Sequence, residues 1–463
     1  MADPGNETGS ADVVDVVVAG AGLSGLTAAH RLVERGLSVR VLEAGDRVGG
    51  RTLDLEVADG VVTEAGGQWI GKRHERMFAL LDELGVATFD THTTGETIYL
   101  HRGRRKTFGG TIPPMRPPAM VDFAQAQWRL ERMARQVPVA APWAAAKATE
   151  WDGMTIGHWL DRHCHVDESR DMFTFGFTLT FCEDPHRISL LKVLHQIATS
   201  GGIEFMLNTE DGAQETRIAG GSRAPTRAIA GRLGDRVVLD SPVTEIRQDG
   251  DGAFVRSTRA DLRCRQVIVA MTPADADRIR FAPDLPVRRA ALQRAWHSGA
   301  ETKLFAVYDR PFWRDRGLNG AAVTDLPIAH YVVDNSPPDA AVGILLSFLG
   351  TAGAGAGFTW QDRILDDAAT REAAFLDDLV TLFGPEAGRP VRVLEHSWVG
   401  LPWIAGCAGC ATPGVLTAYT DARTTPVDRI HWAGAEAAPE FESYLEGAVR
   451  AAERAVDEVV DAM

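Results

Sequence analysis

The stretch VVVAGAGLSGLTAAHRLVERGLSVRVLEAGDRVGGR, from Val16 to Arg51, limits the fold of this chain more than any other. Val16 to Ala19 is a short apolar run ending at glycine, the pattern of a strand buried on both faces. Gly20, Gly22 and Gly25 fit G-x-G-x-x-G. The residues that follow, Leu26 to Glu34, carry apolar side chains at helical spacing and stop at Gly36. The glycines have separate tasks: one makes the turn, one lets backbone approach a pyrophosphate, and one lets helix and strand pack closely. A pyrophosphate on the helix N-terminus would meet unpaired N–H groups and the favourable end of the macrodipole. Val39 to Leu42 reads as a second strand, ended by Glu43 at roughly the 20-residue distance where an acidic side chain takes ribose hydroxyls. The expectation is a dinucleotide-binding βαβ unit rather than an ordinary glycine-rich turn.

At 463 residues the chain is too long for one core and predicts two or three domains. Its net charge of −15 argues against nucleic acid or an anionic membrane as partner, because either needs a basic face. Five cysteines cannot build a dense disulfide framework, so a reducing, cytoplasmic setting is expected. Residues 1–11 are small, polar and acidic, without a basic segment or an apolar core, and read as a disordered tail rather than a signal peptide. No apolar run approaches the roughly 18 residues needed to span a bilayer. The end of the chain, Glu446 to Val460, is an amphipathic helical pattern, so no membrane anchor is expected.

After Glu43, DRVGGR sets Arg51 close to the expected phosphates, an addition that nicotinamide enzymes do not need. GAGLSG, LEAGDRVGGRT and EAGGQWIG (Glu64 to Gly71) together resemble the flavin-containing amine oxidases, of the soluble bacterial, monoamine oxidase-like type. The resemblance runs from Val14 to the final helix. It implies an α/β (α+β) fold of two domains: a Rossmann-like FAD-binding domain over residues 12–88, 221–294 and 395–463, and an interleaved substrate-binding domain over 89–220 and 295–394. Between Thr88 and Gly220 the chain is richer in tryptophan, methionine and proline. Helical periodicity over Asp122 to Gln136 and Thr155 to His163 suits a largely helical insertion. FGFTLTFCEDPHRISLL and SGGIEFMLNTEDGAQETRIAGGS are similar to the segment lining the amine cavity of monoamine oxidases. The match places Leu179, Thr180, Met206, Leu207 and Gln214 in that wall, with core packing as the competing reading. In the same way it places Gly67 near the cofactor and Val243, in SPVTEI, at its adenine end through backbone.

Lys303 lies in the strand-like run ETKLFAVY, where an inward charge is costly without a partner. The matching lysine of the family holds a water against the reactive ring nitrogen of the flavin and assists reoxidation by dioxygen, since a fixed positive charge favours superoxide. The bland alternative is a lysine on the solvent face of an edge strand. Near the C-terminus, WAGAE implies Gly434 and Glu436 beside the flavin. YLEGAV opens a helix whose first amide, at Leu445, would meet the pyrimidine edge of the ring. Tyr444 matches one of two cage aromatics that steer the amine; at the position of the other, after Cys407, stands Ala408, with Trp403 as a candidate replacement. Trp398 and Cys407 match cofactor-contacting positions. The spacing from Trp398 to Cys407 suits a covalent thioether and the stretch after it is a residue short, so attachment of FAD through Cys407 stays open. Cys407 and Cys410 form C-x-x-C, but ATPG after them is a turn and no second cysteine pair exists, so neither a redox dithiol nor a metal site is expected. His195, His297 and His396 read as structural.

The function implied is FAD-dependent oxidation of a small-molecule amine at its α carbon, with dioxygen as acceptor and hydrogen peroxide as product. L-amino-acid oxidases commonly place an arginine after the paired glycines, where this chain has Gln68 and Trp69; that reading and a polyamine or diamine oxidase remain as alternatives. From other classes, a flavin-stabilised binding protein without turnover would not need both Lys303 and Tyr444, and a flavin desaturase would not need the Lys303 segment. A homodimer is compatible with the sequence.

Overall fold

The structure, a computed structural model, describes residues 12–350 and 367–463. The tail expected over residues 1–11 lies outside them. The described residues form two compact units. One runs up to Gly50, then Pro225–Ala295 and Asp421–Met463; the other is Arg51–Ala224 and Trp296–Thr420.

In the first unit Val16 to Ala19 are fully buried, as a continuous valine run at the centre of a parallel sheet should be. The strand Asp12–Ala19 lies between Val39–Leu42 and Asp261–Val269, parallel to both. Val237–Val238 extends the sheet on one side. On the other, Asp261–Val269 is shared by Ile430–Trp432, in parallel, and Gly252–Ser257, antiparallel; Val243–Asp249 and Arg280–Ala282 complete eight strands. The helix Leu23–Glu34 ends where Gly36 turns left-handed (φ 81°), with Leu37 N–H bonded to Leu32 O and Gly36 N–H to Val33 O, a Schellman stop. Against this helix lies the C-terminal helix Leu445–Asp461, through an alanine- and valine-rich face and the ion pairs Arg31–Glu453 and Arg35–Asp457.

The second unit is built on a seven-stranded sheet whose order is Arg392–Ser397, Glu301–Tyr308, Gly343–Gly350, Tyr331–Asp334, Leu318–Thr324, Glu96–His101 and Arg104–Phe108. Every residue of Glu301–Tyr308 is buried, because antiparallel neighbours close both its edges and packed layers close both faces. Alternation sends Leu304, Ala306 and Tyr308 into a core with Trp313 and the helix Ala368–Phe383, whereas Phe305 and Val307 meet the hairpin of Asp54–Ala58 and Val61–Glu64. Lys303 and Glu301 share the second face by the same period.

The compact units are bounded differently from the expected domains: residues 51–88, 221–224 and 395–420 pack with the second unit, and Ala295 with the first. The reason is long-range pairing. Leu53, Val57 and Ala65 join the core of Phe305 and Val307, and Arg392–Ser397 is a strand of the second sheet. The helical insertion is present as Pro117–Ala134, Ile156–His163, Asp167–Phe181 and Leu190–Ser200. Among the described residues no helix is long and apolar enough to cross a membrane.

A methyl group on Gly25 would stand 2.0 Å from the Gly20 carbonyl oxygen. Gly25→Ala should therefore cost about 1–3 kcal/mol, read as a lower urea midpoint. Gly231→Ala, in the helix Ala224–Leu233 with nothing within 4 Å, should not lower it.

Candidate active site

In the first unit the turn after Asp12–Ala19 makes a cradle of bare backbone. Gly20 is left-handed (φ 104°), Gly22 caps the helix in extended conformation, and no side chain occupies the cap. Gly22 also runs against Gly50, whose added Cβ would lie 3.2 Å from the Gly22 Cα. Glu43 is placed by this turn: Oε2 accepts from Ala21 N–H (2.6 Å) and Oε1 from Gly45 N–H (2.9 Å), while burial pushes its carboxyl above the ordinary range. Each oxygen keeps a lone pair for a hydroxyl. Val243 begins the strand Val243–Asp249 beside Ser257. Gly434 has no room for a Cβ, which would stand 2.2 Å from Met271 O; Glu436, two residues on, is 1 % exposed. Tyr444 is the extended N-cap of Leu445–Asp461, again without a side-chain cap, and both Tyr444 and Leu445 are half-buried. A backbone-lined cradle that side chains would fill, ahead of a helix with an uncapped start, fits the pyrophosphate of a dinucleotide.

In the second unit the segment Glu64–Gln68 is the hub. Lys303 Nζ donates to Glu64 O (3.0 Å), Gly66 O (2.8 Å) and Gln68 Oε1. Trp398 Nε1 donates to Ala65 O (2.9 Å), Gly67 N–H to Arg51 O (3.1 Å), and Arg51 Nη1 to the Cys407 carbonyl (2.7 Å). Gly66 is required here, since a Cβ would lie 2.0 Å from Arg51 O. Lys303 is thus an inward, sealed cation, 5 % exposed, and burial brings its ammonium down to about 8 against the opposing pull of the Glu64 carboxylate. All three of its N–H donors meet protein acceptors.

Behind the hub runs a polar relay that sequence reading did not find. Gln68 Nε2 donates to Asn335 Oδ1 (2.7 Å), Asn335 Nδ2 to Thr63 Oγ1 (2.7 Å) and Glu64 Oε2 (3.2 Å), and Arg217 Nη2 to Glu64 Oε2 (2.6 Å). Glu301 is equally unforeseen. It is buried beside the thiols of Cys182 and Cys407, and burial raises its carboxyl to about 8. Cys182 in turn shares a hydrogen bond with Cys407 and titrates well above an ordinary thiol.

The expected amine-wall residues fall in the second unit too. Leu179 packs with Phe348, Tyr331 and Trp69 against the Phe305 core. Thr180 spends its hydroxyl on Gly176 O (2.8 Å), one helical turn back. Met206 is buried and Leu207, half-buried, lies over Gly176, where an added Cβ would stand 3.2 Å from its Cδ1. Gln214 Nε2 holds the Met206 carbonyl (3.1 Å). Trp403 is 47 % exposed. Missed from sequence is an aromatic series in which Trp69 and Phe348 are 5.9 Å apart, Phe348 and Tyr331 6.1 Å, and Tyr331 and Phe175 5.9 Å. Lys303 Nζ lies 5.2 Å from the Phe348 ring centre and 5.7 Å from that of Trp69. Alternation in ETKLFAVY was a usable signal for Glu301; the aromatic series joins four separate segments and left no local one. His297 pairs with Glu183, His195 bonds Val139 O (2.9 Å), and His396 sits edge-on to Trp398 (4.8 Å).

The family model of flavin containing amine oxidoreductases matches residues 23–460. The chain is 36 % identical over 447 residues to AofH of Mycobacterium tuberculosis, covering 96 % of each protein. It is 34 % identical over 459 residues to the flavin-containing amine oxidase B of Sus scrofa, covering 97 % of this chain and 86 % of that one. Among solved structures it is similar to cyclohexylamine oxidase from Brevibacterium oxydans, with TM-score 0.91, 32 % identity, and coverage of 97 % of this chain and 99 % of the other. Putrescine oxidase bound to putrescine matches with TM-score 0.90 and 30 % identity, over 97 % and 99 % of the two chains.

Glu301 titrates at about 8 in the folded chain against an ordinary 4.5, so the folded state holds this proton the more tightly. The stability this gives is full below about pH 4.5 and lost as pH rises through about 8. The melting temperature of the unaltered chain should accordingly fall, relative to that of Glu301→Gln, between about pH 5 and 8. Parallel curves over that range would show that Glu301 ionises normally.

Proposed function

This chain belongs to the flavin-containing amine oxidoreductase family and is an FAD-dependent amine oxidase, and we propose that it acts on a neutral, apolar monoamine. When bound, FAD supplies the two-electron acceptor that takes a hydride equivalent from the amine α carbon, leaving an imine that water converts to aldehyde and ammonia, and passes the electrons to dioxygen to give hydrogen peroxide.

The chain's own residues bind and orient. Gly20, Gly22 and Gly25 present backbone to the pyrophosphate, Glu43 accepts from the ribose hydroxyls, and Val243 meets the adenine end through its main chain. Gly434, Glu436 and the Leu445 amide serve the ring, as do Arg51, Gly67, Trp398 and Cys407. Tyr444 directs the amine. Leu179, Thr180, Met206, Leu207, Gln214 and Trp403 contribute to substrate contact. The single observation that carries this reading is the set of aromatic rings ranged beside the buried Lys303 ammonium, which lies 5.2 Å from the Phe348 ring centre and 5.7 Å from that of Trp69. The run of rings from Trp69 to Phe175 supports an apolar substrate. A cytoplasmic enzyme that needs no membrane, alone or as a homodimer, completes the proposal.

A panel of phenethylamine, benzylamine, cyclohexylamine, putrescine and L-amino acids, scored for peroxide, should give the highest kcat/KM with the apolar monoamines. Preference for putrescine would move the assignment to a diamine oxidase, and silence across the panel would sink the substrate proposal. Lys303→Met should slow reoxidation of the flavin by dioxygen at least tenfold and change anaerobic reduction by the amine less than threefold. Equal losses in both half-reactions would remove Lys303 from the oxygen step.

A further inference from the structure

An ammonium has three N–H donors, and Lys303 commits each of them to a protein oxygen. Two of these acceptors, the carbonyls of Glu64 and Gly66, are main chain of a segment that cannot easily shift. Ala65 is tied at both ends, its amide to Leu53 O (2.8 Å) and its carbonyl to Trp398 Nε1, and Gly66 is pressed against Arg51 O. The third acceptor is the side-chain amide of Gln68, which has torsions to spare. A water or a dioxygen species that takes an N–H from Lys303 therefore meets one movable competitor.

The direction of that amide is dictated by its neighbours. Lysine only donates and the Glu64 carboxylate only accepts, so each amide between them must point the same way: Gln68 carbonyl to the ammonium, Gln68 NH2 to Asn335, Asn335 NH2 to Glu64. Gln68, Asn335, Glu64 and Arg217 are at most 3 % exposed, so no solvent replaces a lost partner at rest. Gln68 cannot flip its amide in place, since that would turn N–H groups toward the ammonium. It can only swing away from both partners together.

We propose that Gln68 is a positioning residue that controls access to the Lys303 ammonium, holding one N–H in reserve and yielding it to the incoming oxygen species. The proposal rests on the oxygen role given to Lys303 above and adds to it a named competitor. Withdrawing the competitor while leaving the two carbonyls in place makes that N–H available to a water, which exchanges more readily than a tethered amide.

The test compares the FAD-loaded enzyme with Gln68→Ala and Gln68→Asn, the second keeping an amide one carbon too short to reach. Stopped-flow measurement should show reoxidation by dioxygen at least threefold faster in both variants at pH 7, with anaerobic reduction by the best amine of the panel within twofold. A structural role alone would move the two half-reactions together. Independently of the flavin, the apoprotein can be labelled at lysine Cε; with five lysines in the chain the Lys303 signal can be assigned from Lys303→Met. Its Nζ protons should exchange with water at least fivefold faster in Gln68→Ala. Unchanged or slower reoxidation in both variants, beside a selective loss in Lys303→Met, overturns the role of Gln68 and leaves that of Lys303 standing. Loss of selectivity in Lys303→Met overturns both.

Discussion

The second unit is organised by the burial of one cation. A lysine on a strand closed at both edges and on both faces must find all its acceptors inside the protein, or the strand could not form as it does. The acceptors come from Glu64–Gln68, where Gly66 must be glycine because a Cβ there would stand 2.0 Å from Arg51 O. Trp398 and Arg51 then bond to the same short run, so residues far apart in sequence meet at one stretch of main chain.

The same cation separates two carboxyl groups by their surroundings. Glu64 accepts from Arg217 and Asn335 and completes a charge-balanced relay. Glu301 faces thiols, receives little beyond the Thr302 N–H, and holds its proton up to about 8. One strand face thus presents a charged ammonium and a neutral acid at neutral pH, two residues apart, without a second net charge in the core. Lys303 itself gives up its proton near the same pH, so the positive charge that suits oxygen chemistry is a property of the neutral range.

How much could be read beforehand follows from how local each feature is. The Val16–Arg51 unit is a run of near-neighbour rules, of period, glycine spacing and helix stop; its second strand was legible to the residue, and its first strand and helix at their ends, although they begin at Asp12 and Leu23 rather than Val16 and Leu26. Lys303 was legible through the resemblance of the segment around it, while alternation alone left a solvent-facing lysine open. The relay through Gln68 and Asn335, and the ring series from Trp69 to Phe175, were not, because each member comes from a different element and only the folded sheet brings them together. The bounds of the compact units depart from the expected domain bounds for the same reason. Residues 51–88 follow the nucleotide motif directly but are claimed by cross-strand and core contacts made hundreds of residues later.

Tyr444 shows the opposite case, a position set by strain rather than preference. Phe441 (φ 53°) and Ser443 (φ 68°) both adopt left-handed backbone, at about 1–3 kcal/mol each for residues that gain nothing from it locally. The turn persists because its surroundings over-determine it. Glu442 between them is locked to Arg423 in a buried ion pair, Ser443 N–H reaches Ala435 O (3.3 Å), and the Phe441 carbonyl receives Tyr444 N–H (3.0 Å). A helix could begin at Leu445 after many simpler turns. In this one the Tyr444 ring stands edge-on to Phe441 (6.2 Å, 89°), and Tyr444 as N-cap contributes no side-chain cap to the helix. Strain at that point is consistent with the placement of the ring and the amides, rather than the helix itself, being what the turn maintains.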